Sequence, residues 1–256
     1  MMMLKVSDLT KVFGGVRAVD GVSFAVHQGT VQAVIGPNGA GKTTLFNLIT
    51  GLYTPTAGSI EFLGAEISGL AANLLAARGM SRTFQNLQIC MNLSALDNVL
   101  VGAHLQLNGS VLAGLFRWPG LAQTDRRLRA RAADLMAFVG CGAYVRADAA
   151  SMPYGALKRL EIARALMSEP KILFLDEPAA GLNHTETHEI EELVRQLADR
   201  GLTVVLVEHD MKMVMSVSDR ILVLNYGRKL AEGAPVEVRN NRDVIAAYLG
   251  EEMVDG

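Results

Sequence analysis

Apolar positions change their rhythm along the chain, and the changes mark out the elements. Leu4, Val6 and Leu9 begin an alternation that resumes at Val22-Ser23-Phe24-Ala25-Val26, with Gly14-Gly15 and Asp20-Gly21 as turn signals between. Alternation of this kind predicts two antiparallel strands with one buried face. The runs Val31-Gln32-Ala33-Val34-Ile35, Lys171-Ile172-Leu173-Phe174-Leu175 and Leu202-Thr203-Val204-Val205-Leu206-Val207 are instead apolar almost throughout. Such runs predict strands covered on both faces, hence a mainly parallel sheet. A helix over about 186–200 separates the last two. A turn cluster at 54–58 precedes a short strand at 59–62, and 79–86 reads as a strand ending in polar residues. Ile221-Leu222-Val223-Leu224 with the Tyr226-Gly227 turn reads as an edge hairpin, and 243–249 as a last helix.

Between about 87 and 160 helical patterns replace the β-branched runs. Thr124 is placed to cap a helix reaching Phe138, with Leu128, Leu135 and Phe138 on one face and Gly140 as the stop. Residues 105–122, with Gly109, Gly114, Trp118, Pro119 and Gly120, read as a surface insertion.

Composition narrows the functions. The chain has 256 residues, enough for one large α/β domain with an insertion or for two small ones. A net charge of -2 gives no general attraction to nucleic acid or to an anionic membrane. Arg126, Arg127, Arg129 and Arg131 crowd one helix, but no aromatic residue interleaves and Asp125 and Asp134 dilute them, so they read as a solvated face. Cys90 and Cys141, far apart and without metal-ligand spacing, read as small buried thiols in a reducing compartment. The first residues lack the apolar stretch of a signal peptide, and no apolar run approaches the length that crosses a bilayer.

The chemistry starts at Gly36-Pro37-Asn38-Gly39-Ala40-Gly41-Lys42-Thr43-Thr44, which is G-x-x-x-x-G-K-[ST] between a predicted strand and a predicted helix. Glycines let successive backbone N–H groups point at a phosphate chain, and the helix start adds partial positive charge. Lys42 is suited to the β- and γ-phosphates of a nucleoside triphosphate, and the Thr43 hydroxyl to Mg²⁺. Asp176 ends an apolar strand, where it can hold a phosphate-bound Mg²⁺ directly or through water. Glu177 beside it is a candidate base for the water that attacks the γ-phosphate. The plainer reading of such an acidic pair is a helix cap. His209 follows the next apolar strand and can hydrogen-bond the γ-phosphate, or be an ordinary surface residue. His184 and His188, four apart, invite a zinc reading, but the order is not H-E-x-x-H and no third ligand is evident.

Gly36 to Thr44, Gln85, the run from Met152 to Leu166, Asp176-Glu177-Pro178 and His209 together resemble the nucleotide-binding subunit of ABC transporters, over essentially the whole chain. The resemblance implies an α/β fold, 1–256 as one nucleotide-binding domain. That fold is a P-loop NTPase core with a mainly parallel sheet, an N-terminal antiparallel β subdomain and an inserted α-helical subdomain over about 86–160. It implies ATP and Mg²⁺ as ligands, Phe13 stacked on adenine, and Gln85 touching Mg²⁺ and sensing a transmembrane partner. It also implies a signature, 152–156, whose Tyr154 and Gly155 close over the ATP of a second ATPase subunit, a copy or a paralogue. The signature departs from the usual Leu-Ser-Gly-Gly-Gln at Pro153, Tyr154 and Ala156, and Asn183 stands where Asp is usual.

Within the family, Arg82-Thr83-Phe84-Gln85-Asn86, the Tyr-Gly signature, Ala179-Ala180-Gly181-Leu182-Asn183 and the ending from Asn240 to Gly250 look like the branched-chain amino acid importers. The 105–122 insertion is similar to the longer of their two ATPase subunits. That likeness implies an ATPase powering uptake of branched-chain or other hydrophobic amino acids at the cytoplasmic face of the membrane. Its partners would be two transmembrane permease subunits and, indirectly, an extracytoplasmic solute-binding protein, with no nucleic acid. The alternative is the ATPase of another ABC system, such as lipopolysaccharide export or urea and amide uptake.

Overall fold

The computed structural model describes residues 1–104 and 119–252. They form two compact units, Met1–Arg82 with Lys171–Gly256, and Thr83–Pro170. The 105–118 part of the expected insertion lies outside the described residues.

In the first unit, β1 (Met2–Phe13), β2 (Val16–His27), β4 (Ala57–Phe62) and β5 (Ala65–Glu66) make an antiparallel sheet in the order β2-β1-β4-β5. Along β1, Leu4, Val6 and Leu9 are buried, as the alternation requires. Asp20-Gly21 does not turn the chain. It lies inside β2, where the pairing with β1 shifts register, so glycine here serves a bulge rather than a hairpin.

The second sheet runs β10 (Arg228–Gly233), β9 (Arg220–Asn225), β3 (Val31–Ile35), β8 (Thr203–Val207), β7 (Ile172–Asp176), β6 (Met80–Arg82). All pairings are parallel except the edge hairpin β9–β10. Every residue of β3, β7 and β8 is buried, the signature of a sheet covered on both faces. β6 is three residues long, shorter than the pattern predicts, because its polar continuation has no strand partner.

Helix α1 (Lys42–Ile49) buries Leu45, Phe46, Leu48 and Ile49 in a core that also takes side chains from both sheets. Phe46 meets Phe174 edge-on at 5.5 Å. Around the sheet lie α2 (Ala72–Ala77), α6 (His184–Asp199), α7 (Met211–Val217), α8 (Pro235–Arg239) and α9 (Arg242–Glu252).

The second unit holds α3 (Ala95–Val101), α4 (Pro119–Phe138) and α5 (Tyr154–Met167). Helix α4 begins five residues before Thr124, so Thr124 sits inside the helix and caps nothing at its start. Leu128, Ala132 and Met136 are its buried positions, with Val139 buried just beyond its end, while Leu135 and Phe138 are half-buried. Spacings of four and three keep those four on one stripe. Gly140 ends the helix at φ +80, with its N–H on the Ala137 carbonyl and the Cys141 N–H on that of Met136. That pair of bonds is a Schellman motif, which glycine's left-handed conformation permits. Arg126, Arg127 and Arg129 are exposed, and Arg129 pairs with Asp125 and Asp97. Cys141 is buried, but Cys90 is exposed, contrary to the expectation of two buried thiols.

Candidate functional site

Strand register assembles the site. Val34 on β3 pairs with Val207 on β8, and Val207 pairs with Asp176 on β7. One row across the parallel sheet therefore carries the strand end before Gly36, the strand end before Glu208-His209, and Asp176 itself. Neighbouring strands lie about 4.8 Å apart, so the groups that follow this row emerge side by side at the carboxyl edge.

The loop after β3 is shaped by glycine where nothing else fits. At Gly36 (φ +151) a Cβ would stand 2.2 Å from the Leu224 carbonyl oxygen, and at Gly41 (φ +100) 2.4 Å from that of Ala18. The Gly227 N–H pins the loop by donating to the Ala40 carbonyl at 3.0 Å. Pro37 and Ala40 are buried, whereas Asn38, Gly39 and Thr43 are exposed and Thr44 is half-buried. Gly39 (φ +74) faces open space. Lys42 folds over the loop and donates to the carbonyls of Gly36 and Pro37 at 2.5 and 2.8 Å. A curved backbone, an ammonium and two threonine hydroxyls at the start of α1 suit a polyphosphate with its cation.

Asp176 is 4% exposed, and its Oδ2 accepts from Arg82 Nη2 at 2.6 Å. Arg82 Nη1 donates to Asn47 Oδ1 at 2.6 Å and Thr50 Oγ1 at 2.9 Å, both at the other end of α1. The guanidinium also lies 5.7 Å from the Phe46 ring. A buried carboxylate is thus paired and tied to the helix that starts with Lys42 and Thr43. Glu177 follows at φ +49, a left-handed conformation costing about 1 kcal/mol for a non-glycine residue. Its N–H donates to the Val207 carbonyl at 2.9 Å, which stitches the turn to β8.

His209 is exposed, its Nδ1 3.8 Å from Glu208 Oε2. Asp210 caps α7 by accepting from the N–H groups of Lys212 and Met213. Phe13, at the end of β1, is exposed, meets Tyr53 edge-on at 5.3 Å, and has Lys11 Nζ 4.9 Å over its ring. Among the described residues, no group of three or more His, Cys, Asp or Glu side chains that could hold a metal ion forms around His184 and His188. His188 faces Glu191 and Glu192 at 3.3 and 3.4 Å on the surface of α6.

Gln85, Tyr154 and Gly155 lie in the second unit. Tyr154 opens α5 and is half-exposed, Gly155 is buried, and Pro153 precedes them in extended conformation with no side-chain cap. Three polar side chains on one face of α5 hold the stretch 84–88. Lys158 Nζ donates to the Gln85 carbonyl at 3.4 Å. Glu161 Oε1 accepts from the Phe84 and Gln88 N–H groups at 3.5 and 3.4 Å, and Arg164 donates to the Gln88 carbonyl. Burial raises the Glu161 carboxyl above its ordinary range, with Arg164 and these N–H groups pulling it back.

Arg82 and Glu208 stand outside the set predicted from sequence. Both follow the rule that polar groups gather at carboxyl ends of parallel strands, the one signal that marks them.

A phosphate loop at the edge of a doubly covered parallel sheet defines a nucleoside triphosphatase. Residues 19–180 match the family described as ABC transporter, and residues 228–254 the family described as branched-chain amino acid ATP-binding cassette transporter. The chain is 48% identical over 250 residues to the high-affinity branched-chain amino acid transport ATP-binding protein BraF of Pseudomonas aeruginosa, covering 97% of this chain and 98% of that one. It is 43% identical to LivG of Escherichia coli K12 over the same shares. A crystal structure of the ADP conformation of an ABC transporter's ATP-binding cassette superposes with a TM-score of 0.84 at 30% identity, covering 98% of this chain and 99% of that one. The chain belongs to the ABC transporter ATP-binding family and is an ATPase of it. Among the described residues, no helix is long and apolar enough to cross a membrane.

Proposed function

We propose that this chain binds and hydrolyses ATP to power uptake of branched-chain or other hydrophobic amino acids. In this reading residues 1–256 work as one cassette, with the second unit as its helical subdomain. The backbone of Gly36 to Gly41 cradles the phosphates, Lys42 neutralises them, and Phe13 stacks on adenine. Thr43, Gln85 and Asp176 hold Mg²⁺, whose charge offsets that of the phosphates. Glu177 takes the proton of the attacking water and His209 hydrogen-bonds the γ-phosphate. Tyr154 and Gly155 meet the ATP held by a second ATPase subunit. Permease subunits carry the chain at the cytoplasmic face of the membrane, and an extracytoplasmic binding protein delivers the solute to them.

The observation that carries this reading is the Val34-Val207-Asp176 row, which sets the loop, the acidic pair and His209 along one edge. The family of relatives named for branched-chain amino acid transport supports the solute class. Co-purification of the tagged chain from membranes, followed by ATPase assays in liposomes, tests it. Two permease subunits should come with it, and leucine, isoleucine or valine with a binding protein should raise ATP turnover. Enrichment with ribosomes or nucleic acid, or turnover indifferent to all hydrophobic amino acids, would overturn it.

A further inference from the structure

None of these roles uses Glu208, although it is 1% exposed and sits directly between the end of β8 and His209. Both of its carboxyl oxygens are engaged. Oε1 accepts from the Ala179 N–H at 2.9 Å, and Oε2 from the His209 N–H at 3.1 Å. Ala179 is two residues beyond Glu177, in the turn that leaves β7. One carboxyl therefore ties the turn carrying Glu177 to the turn carrying His209.

The arrangement is costly unless the bonds matter. Burial pushes the Glu208 carboxyl up from its ordinary range, and the Ala179 and His209 N–H groups draw it back. An apolar side chain of similar size would leave the Ala179 and His209 N–H groups without this acceptor. The backbone already makes one stitch here, from the Glu177 N–H to the Val207 carbonyl. Glu208 adds the side-chain stitch beyond it, and on the far side of His209 the cap formed by Asp210 fixes the start of α7. The His209 imidazole is thus carried on a backbone held from both sides.

We infer that Glu208 is a positioning residue that sets the distance between Glu177 and His209, so that the water side and the γ-phosphate side of the site keep one geometry. The inference rests on the reading of Glu177 and His209 as the reacting pair. Glutamine at 208 keeps one carbonyl acceptor and presents its amide to the other N–H, so one of the two bonds is lost. Leucine loses both.

The test uses the assembled transporter carrying Glu208→Gln or Glu208→Leu, with Glu177→Gln and His209→Ala alongside. Small misplacements of reacting groups cost up to about 100-fold in rate, so kcat should fall about tenfold in Glu208→Gln and further in Glu208→Leu. KM and equilibrium affinity for ATP should stay within about twofold, because the phosphate cradle is untouched. Amide exchange on folded Glu208→Gln should show faster exchange at Ala179 or His209 with the phosphate loop unchanged. Wild-type kcat in both Glu208 variants, beside an inactive Glu177→Gln, overturns the positioning role alone. A fall in kcat matched by an equal loss of ATP affinity also overturns it, since that is general damage. Normal turnover in Glu177→Gln and His209→Ala overturns the reading of the reacting pair, and this inference with it.

Discussion

The carboxyl edge of the parallel sheet and the stretch 84–88 both present polar loops, and they are held by different means. At the sheet edge, backbone register sets the row, and short bonds fix what emerges from it: Arg82 to Asp176 at 2.6 Å, Glu208 to Ala179 at 2.9 Å, Glu177 to Val207 at 2.9 Å. The stretch 84–88 has no strand partner, since β6 ends at Arg82. It hangs instead on side chains of α5, with Lys158 and Glu161 bonds of 3.4 to 3.5 Å and the Arg164 guanidinium donating to the Gln88 carbonyl. These bonds come from side chains of a helix and not from a neighbouring strand. The acidic pair is thus fixed by strand register, while the segment bearing Gln85 depends on Lys158, Glu161 and Arg164 of one helix.

The largest expected effect lies at the sheet edge. Arg82→Met removes the guanidinium paired with the buried Asp176 carboxylate, and breaking a buried pair costs about 3–5 kcal/mol. Urea unfolding should show that loss, and adding Asp176→Asn should recover most of it. A loss below about 1 kcal/mol would mean that the pair behaves like a surface ion pair.

Lys42→Ala comes next. Contacts to a charged group are worth about 1.5–3 kcal/mol, so ATP affinity by calorimetry should fall roughly 10- to 100-fold. Unchanged affinity would remove the phosphate loop from the site.

At the α5 latch the expected effect is smaller and depends on pH. Burial raises the Glu161 carboxyl in the folded chain from 4.5, so its neutral form is the one the fold favours. Its contribution to stability is then complete below the unfolded value and is lost as pH rises through the folded one. The stability of wild type relative to Glu161→Gln should therefore decline as pH climbs from the ordinary carboxyl range toward neutrality. A difference that does not vary with pH would break the comparison at that helix.

The cysteines give the least disruptive check. Burial pushes the Cys141 thiol up to about 11, while Cys90 is exposed. A thiolate-selective reagent should modify Cys90 in the native protein and Cys141 only on unfolding. Equal rates would mean that the packing around α4 is open.

Local signals carried much of this architecture. The continuous apolar runs announced β3, β7 and β8, and G-x-x-x-x-G-K-[ST] announced the loop between β3 and α1. Asn183, a departure from the family pattern, turns out to cap α6: its Oδ1 accepts from the Glu186 N–H while Glu186 Oε2 accepts from the Asn183 N–H. That is a capping box, and its i, i+3 spacing was legible. Asp20-Gly21 misled because a glycine serves a bulge as well as a turn. The pairings of Arg82 and Glu208 were silent because their partners lie far away in sequence, Asp176 for the first and Ala179 for the second. A strand end announces that polar residues will gather there. Which of them pair is decided by the neighbouring strand, and that appears only once the register is known.

Glu177, turned out of β7 and tied to β8, is the residue we propose as the base for the water that attacks ATP. The direct measurement is ATP binding and phosphate release by the transporter assembled with Glu177→Gln. Losing a general base typically costs about 10²- to 10⁴-fold, so release should fall by at least roughly 100-fold while ATP still binds with near wild-type affinity. Phosphate release close to the wild-type rate would remove Glu177 from the role of base.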